Sequence, residues 1–167
     1  RRLPSVEDFP GAGPNALATF QQRGCARLAD ELVVTLLYTL VALGLQATVV
    51  DDGGSLVDAD QGEALWLLTA AFALQLVYEV VGVAVFGQTV GKWALGVRVA
   101  RYTDGGRPTW AQSMLRCLVW AVPAAATLAL LRLSILGAAV VFLSAWSNPL
   151  RRGWHDDAGG TVIVRTR

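Results

Sequence analysis

Charge is scarce in this chain: 16% of its 167 residues are Asp, Glu, Lys or Arg, against roughly a quarter in a soluble domain. Histidine occurs once, at His155, and cysteine twice, at Cys25 and Cys117. A single histidine cannot anchor a Cys/His metal centre, and two cysteines are too few for a secreted disulfide scaffold. The formal net charge is +1, so there is no bulk basic field of the kind nucleic-acid binders carry. No Gly-x-Ser-x-Gly elbow and no Ser–His–Asp or Cys–His arrangement surrounds His155. Catalysis, a cofactor and a metal are therefore not expected. What the chain has instead is apolar surface, 54% hydrophobic residues, gathered into long runs that suit a bilayer.

Residues 1–22 hold three of the six prolines and show no periodicity, which predicts an extended N-terminal segment. No apolar stretch follows its basic start before Leu32, so it does not read as a signal peptide. Leu32 to Val50 is almost uninterruptedly apolar and, with the polar turn before it, predicts a helix near 24–50 that spans a bilayer of about 20 residues. Ala64 to Phe86 predicts a second, roughly 34 Å long. From Met114 to Trp146 the apolar region is too long for one span and is interrupted by Pro123 and Arg132. It predicts two embedded helices near 111–131 and 133–147, turning around Arg132 to Ser134, the second short enough to be re-entrant. The expected fold is thus an all-α polytopic membrane protein with four membrane-embedded helices.

Charge sets the orientation. Between Val50 and Ala64 lie five acids (Asp51, Asp52, Asp58, Asp60, Glu63) and no base. Arginine and lysine collect around the N-terminus, the 87–110 loop and the C-terminus. By the positive-inside rule both termini and that loop face the cytoplasm. Trp93, Trp110, Trp146 and Trp154 flank the membrane on that side and Trp66 on the other, as interfacial anchors do. Residues 97–102 alternate with period two, and 161–167 are β-branched and basic. They predict a small cytoplasmic β-ribbon resting on the helix ends.

Few ionisable groups lie near the apolar runs. Glu79 sits about 10 Å inside its helix, with Gln75 on the same face. Arg23, Arg27 and Asp30 share a stripe of the first helix, and Arg116 starts the third. Intramembrane acids are functional candidates by default. One reading makes Glu79 and Asp30 a cation or proton site. The other makes Glu79, Gln75, Arg27 and Arg116 a polar clamp between helices. Gly87, Thr89, Gly91 and Lys92 lack the spacing of a phosphate loop. They predict a sharp turn at the membrane surface with Lys92 facing lipid phosphates.

Three blocks in order resemble the RDD family of small bacterial membrane proteins, named for one arginine and two aspartates. Arg23 followed seven residues later by Asp30 is similar to its opening. Gly87-Gln88-Thr89-Val90-Gly91-Lys92, continuing to Gly96 and Val99, is similar to its middle segment. Arg151-Arg152-Gly153-Trp154-His155-Asp156 and Gly160-Thr161-Val162 are similar to its ending. The resemblance implies an RDD-like membrane domain over 23–167 with Arg23, Asp30 and Asp156 as signature residues. We expect one buried arginine between the two aspartates, stapling the first helix to the C-terminal turn. It also implies a transport context. Two functions fit: a non-catalytic accessory subunit that docks on a larger membrane complex, such as an actinobacterial lipid importer of the Mce type, or a small oligomeric cation/proton transporter using Glu79 and Asp30. Gly44, Gly82, Gly137, Ala138 and Ala139 would permit close helix contact. The expected partners are the bilayer and transporter subunits or further copies of the chain, not nucleic acid.

Overall fold

The computed structural model describes residues 4–49, 61–131 and 140–167. The acids Asp51, Asp52, Asp58 and Asp60, the turn expected at residues 132–134, most of the helix expected over 133–147, and Gly137, Ala138 and Ala139 lie outside the described residues. The described chain is mostly helical with a small two-stranded sheet. In order it runs α1 (Phe20–Val49), α2 (Gln61–Val81) continued by a π-helical turn (Gly82–Phe86), α3 (Val90–Ala94), β1 (Val97–Arg101), α4 (Trp110–Leu131), a helical stretch at 140–143 leading into a 3-10 turn (Ser144–Ser147), α5 (Trp154–Ala158) and β2 (Thr161–Arg165). Helix α1 starts earlier than its apolar run. Its first turn is set by Thr19, whose hydroxyl accepts from the Gln22 backbone N–H at 3.1 Å while the Gln22 side chain takes the Thr19 N–H at 3.0 Å. This reciprocal pair satisfies donors that a helix start leaves orphaned.

Burial in the helices is inverted relative to a soluble bundle. On α1, Asp30 is 1% exposed while Leu28, Leu32, Leu36 and Leu40 lie open. On α2, Glu79 and Gln75 are buried and Val77, Val81 and Val85 are not; on α4, Arg116 is buried while Met114, Leu118 and Val122 face outward. Polar side chains inside and apolar stripes outside are the pattern of helices in an apolar solvent. Among the described residues one segment, Thr69–Phe86, with mean hydropathy 1.8, is long and apolar enough to cross a membrane by length and composition. Trp66, Trp93, Trp110, Trp146 and Trp154 are all exposed, Trp146 most of all at 75%.

The ribbon forms where the alternation predicts it. Strands β1 and β2 are antiparallel, with Val99 opposite Ile163 and Ala100 opposite Val162. One face, Val97, Val99 and Ile163, packs with Ala18, Ala26 and Val83 from the bases of α1 and α2. The other, Ala100, Val162 and Val164, is covered by Phe9, Leu17 and Tyr102. The extended N-terminal segment is held against this ribbon. It turns once at Val6–Asp8 and then runs beside β2, bridging Leu17 to Val164. Its backbone bonds are Asn15 N–H to Arg165 O at 2.9 Å, Arg165 N–H to Ala16 O at 2.8 Å and Ala18 N–H to Ile163 O at 3.0 Å. Burying both faces of a two-stranded ribbon supplies the stability such a ribbon lacks alone.

The π-helical turn is closed by Gly87, whose left-handed φ of +74° reverses the chain into α3. Helix α3 then packs directly across α1. A Cβ on Gly91 would lie 2.4 Å from the Ala26 carbonyl oxygen and 2.7 Å from the Asp30 nitrogen. Gly24, by contrast, has open space on α1. Gly91→Ala should therefore destabilise the protein by about 1–3 kcal/mol or more through backbone overpacking. Gly24→Ala should be neutral or stabilising by up to about 1 kcal/mol through helix propensity. Thermal unfolding of the two variants in detergent measures the contrast, and equal midpoints would refute the α1–α3 contact.

Candidate functional site

The buried charges collect where α1, α2, α3, α4 and α5 meet, and they divide into two clusters. The first centres on Asp30. Its Oδ1 accepts from the Tyr78 hydroxyl and the Gly91 backbone N–H, both at 2.7 Å. Its Oδ2 accepts from the Thr89 hydroxyl at 2.6 Å and from Lys92 Nζ at 3.2 Å. Lys92 also donates to the Thr89 oxygen at 3.0 Å and lies 3.7 Å from Glu79 Oε1. The close approach of Gly91 to α1 brings its N–H to the carboxylate, which explains why a residue without a side chain stands there. Four donors on one carboxylate compensate the loss of water that burial imposes.

Glu79 links this cluster to Arg27. The guanidinium reaches Glu79 Oε2 at 2.6 Å through Nη1 and Glu31 Oε1 at 2.8 Å through Nη2. It lies 4.5 Å from the Trp120 ring centroid and 5.0 Å from that of Phe142. Arginine suits this position because its planar fork serves two carboxylates while its face stacks on aromatic rings. Gln75 donates to Glu31 rather than to Glu79, at 3.4 Å.

The second cluster centres on Asp156 in the first turns of α5. Asp156 has no exposed surface. It is paired with Arg23 through Oδ2 and with Arg116 through Oδ1. The Gly153 N–H donates to Oδ2 at 3.2 Å, and Arg116 Nη1 also donates to the Thr161 hydroxyl at 3.0 Å. One carboxylate thus joins α1, α4 and the start of β2. Arg152 secures the same turn from outside, donating to the Thr161 and Asp156 carbonyls at 2.9 and 3.2 Å and pairing with Asp157 at 3.0 Å.

Residues 17–160 match a family model described as RDD family. The chain belongs to the RDD family. No curated protein and no solved structure matches it. Its three signature residues do not form a single staple. Arg23 pairs with Asp156, whereas Asp30 is held by α3. Seven residues along a helix are about 10 Å, so one guanidinium cannot serve an aspartate two turns up its own helix and another on α5. Arg116, grouped with Glu79 on sequence, takes Asp156 as its partner. The turn Gly87, Thr89, Gly91 and Lys92 does not lie against lipid phosphates. Thr89, Gly91 and Lys92 are buried, because Asp30 and Glu79 draw the Thr89 hydroxyl, the Gly91 N–H and the Lys92 ammonium inward. Sequence reasoning missed Tyr78 and Thr161, each a hydroxyl at an element end, where nothing in the local pattern distinguishes a ligand of a buried carboxylate from an interfacial side chain.

His155 stacks on Phe142 with centroids 4.6 Å apart. Burial, and then the positive field of Arg116 and Arg23, hold its pKa well below the ordinary 6.5 and keep it neutral. Two predictions follow from these clusters. Removing one partner of a buried pair costs about 3–5 kcal/mol, so Arg23→Ala and Asp156→Ala should each cost that order and fall well short of additive when combined. Arg23→Ala and Asp30→Ala, in separate clusters, should instead add within about 0.5 kcal/mol. Denaturation of the double-mutant cycles in detergent decides between them. Because the unfolded chain protonates His155 near 6.5 and the folded chain does not, its contribution is complete above that value. It is lost as pH falls below it, by up to about 1.4 kcal/mol per pH unit. His155→Gln should flatten the fall in unfolding midpoint between pH 6.5 and 5.

Proposed function

We propose that this RDD protein is a multi-pass inner-membrane subunit, both termini cytoplasmic, without catalysis of its own. It docks on and stabilises a larger membrane complex. In this reading α1, α2, α4 and the residues around 133–147 are embedded. The complex is a transporter, and a lipid importer of the Mce type is the candidate that the family resemblance suggested. The observation that carries the proposal is the saturation of the buried carboxylates. Asp30 has four donors, and Glu79 lies between Arg27 and Lys92. An acid that carries a proton or cation across a membrane must release its partner and take it again. Here release would leave Arg27 or Lys92 charged and unpaired and strand the hydroxyl and backbone donors that Asp30 holds. This weighs against a transporter built on Glu79 and Asp30.

Two further features support docking. Where the side chains are described, the outward faces of α1, α2 and α4 expose apolar residues such as Leu36, Val77 and Val122. Gly44 has nothing near its missing Cβ, which leaves α1 open to close approach by another helix. Gly82, by contrast, packs on Thr89 within its own chain.

Purification in mild detergent followed by native mass spectrometry tests the reading. Stoichiometric recovery with unrelated membrane subunits is expected, and proteoliposomes of the isolated chain should carry no ion flux above empty vesicles. A homo-oligomer whose proteoliposomes conduct protons or cations, with flux abolished by Glu79→Gln, would overturn it.

A further inference from the structure

The ribbon has a hollow on the face turned away from the helices, a cavity of about 240 Å³. Ala100, Val162 and Val164 are its floor, and Phe9 of the N-terminal segment lines it from the side. The turn after β1 lines it with residues 103–105. Two bonds tie the segment to the ribbon beside it. The Tyr102 hydroxyl donates to the Pro4 carbonyl, and Arg98 Nη2 donates to Asn15 Oδ1 at 3.0 Å. Tyr102 is held in turn by the Arg152 guanidinium, 4.2 Å from its ring centroid. The hollow is thus enclosed by stretches of chain that are fixed to one another.

Three of the four charged side chains that line it are engaged by charge or by a cap. Arg101 pairs with Asp104 at 3.0 Å. Asp8 takes the Ser5 N–H at 2.6 Å and the Ser5 hydroxyl at 3.1 Å. Arg98 differs. Its bonds end on neutral oxygens, the Asn15 amide and the Gly105 carbonyl at 3.1 Å, and among the described residues no carboxylate pairs with it. A guanidinium carries five N–H donors, and these two bonds leave most of its fork for a carboxylate. Ala100 follows two residues on, about 7 Å away on the same face of β1. A cation without a counter-charge and an apolar floor therefore lie within the reach of one residue.

Size narrows the ligand further. Pockets for cofactors and drug-sized molecules run from about 300 to 1,000 Å³, and this one is smaller. It suits a single bulky side chain, the kind of anchor that dominates protein interfaces. One residue carries both an apolar side chain and a carboxylate only where a chain ends.

We propose that the cavity between the N-terminal segment and the ribbon receives the C-terminal residue of a partner protein. The side chain of that residue is apolar and rests on Ala100, Val162 and Val164, and its carboxylate pairs with Arg98. That a partner exists is taken from the docking reading; the cavity adds where it is held and by what chemistry.

The probe is an acetylated pentapeptide ending in phenylalanine, as the free acid and as the C-terminal amide, added to the methyl-labelled full chain in lipid nanodiscs. The acid should shift the Val162 and Val164 methyl signals saturably, with a Kd of about 1 mM or tighter, the range for one anchoring residue. The amide, and an acid ending in glycine, should each bind at least about tenfold more weakly. Arg98→Gln should abolish the difference between acid and amide, and Arg98→Lys should restore part of it. No saturable shift with the acid, or equal affinity for acid and amide, overturns the proposal. So does binding of N-acetylphenylalanine while the pentapeptide is excluded, which marks a site for a small free carboxylate. If Arg98→Gln does not fold, the acid and amide on the wild type decide alone. A missing shift alongside co-purified membrane subunits would sink this site and leave the docking reading intact. Peptide binding by a chain that recovers no subunits would sink the docking reading instead.

Discussion

A carboxylate with no exposed surface has to be enclosed by donors, and at Asp156 that requirement draws together chain 133 residues apart. Arg23 comes from the base of α1 and Arg116 from α4, while the Gly153 N–H and Thr161 come from the turns on either side of α5. Because each contributor is itself a charged or hydrogen-bonding group, none can withdraw without stranding another. Asp30 repeats the logic one level up, where α2 and α3 converge on α1. The two aspartates set where five helices and the ribbon meet, and the apolar contacts follow from that.

An apolar surround explains why ions carry this role. Where solvent is hydrocarbon, leucine gains little by turning inward, so shape and polar complementarity must specify which faces meet. The outward leucines of α1 and the inward Asp30, Arg27 and Arg23 are two halves of one arrangement. Tight backbone contact does the rest. Gly91 lets α3 lie on α1 at a distance no side chain permits, and in doing so delivers a backbone donor to Asp30. Neither contact would form alone: the glycine creates the space, and the carboxylate makes filling it favourable.

The helices expected near 24–50, 64–86 and 111–131, which the structure has as α1, α2 with its π-helical turn, and α4, and both strands were legible because each has a local pattern, an apolar run or a two-residue alternation. Arg23, Asp30, Glu79 and Asp156 stood out because charge is rare here. Arg23 with Asp156 and Arg27 with Glu79 were among the expected pairings, whereas Arg116 with Asp156 and Lys92 with Asp30 were not legible. Pairing is decided by the crossing of helices, and spacing along one helix does not report it. Lys92 shows the difficulty plainly. A lysine beside two glycines at a membrane boundary has the same sequence context whether it reaches for lipid phosphate or turns inward to a carboxylate. What the extended N-terminal segment pairs with was hidden for a related reason. Its pairing with β2 is made by backbone atoms, which leave no trace in residue type, and Phe9 and Leu17 are the side chains it lays on the ribbon's outer face.

The order of pieces around β2 has a temporal side. In space, β2 lies between β1 and the N-terminal segment, bonding to both. In the chain it comes last of the three. During synthesis the segment at 15–18 and the whole of β1 therefore wait with unpaired edges while everything between them is made. Arg23 and Arg116 wait likewise, since Asp156 arrives only shortly before β2. The stretch from Asp156 to β2 acts as a keystone: strand pairing and charge pairing close together, and a chain not yet extended that far is left with exposed edges and bare arginines.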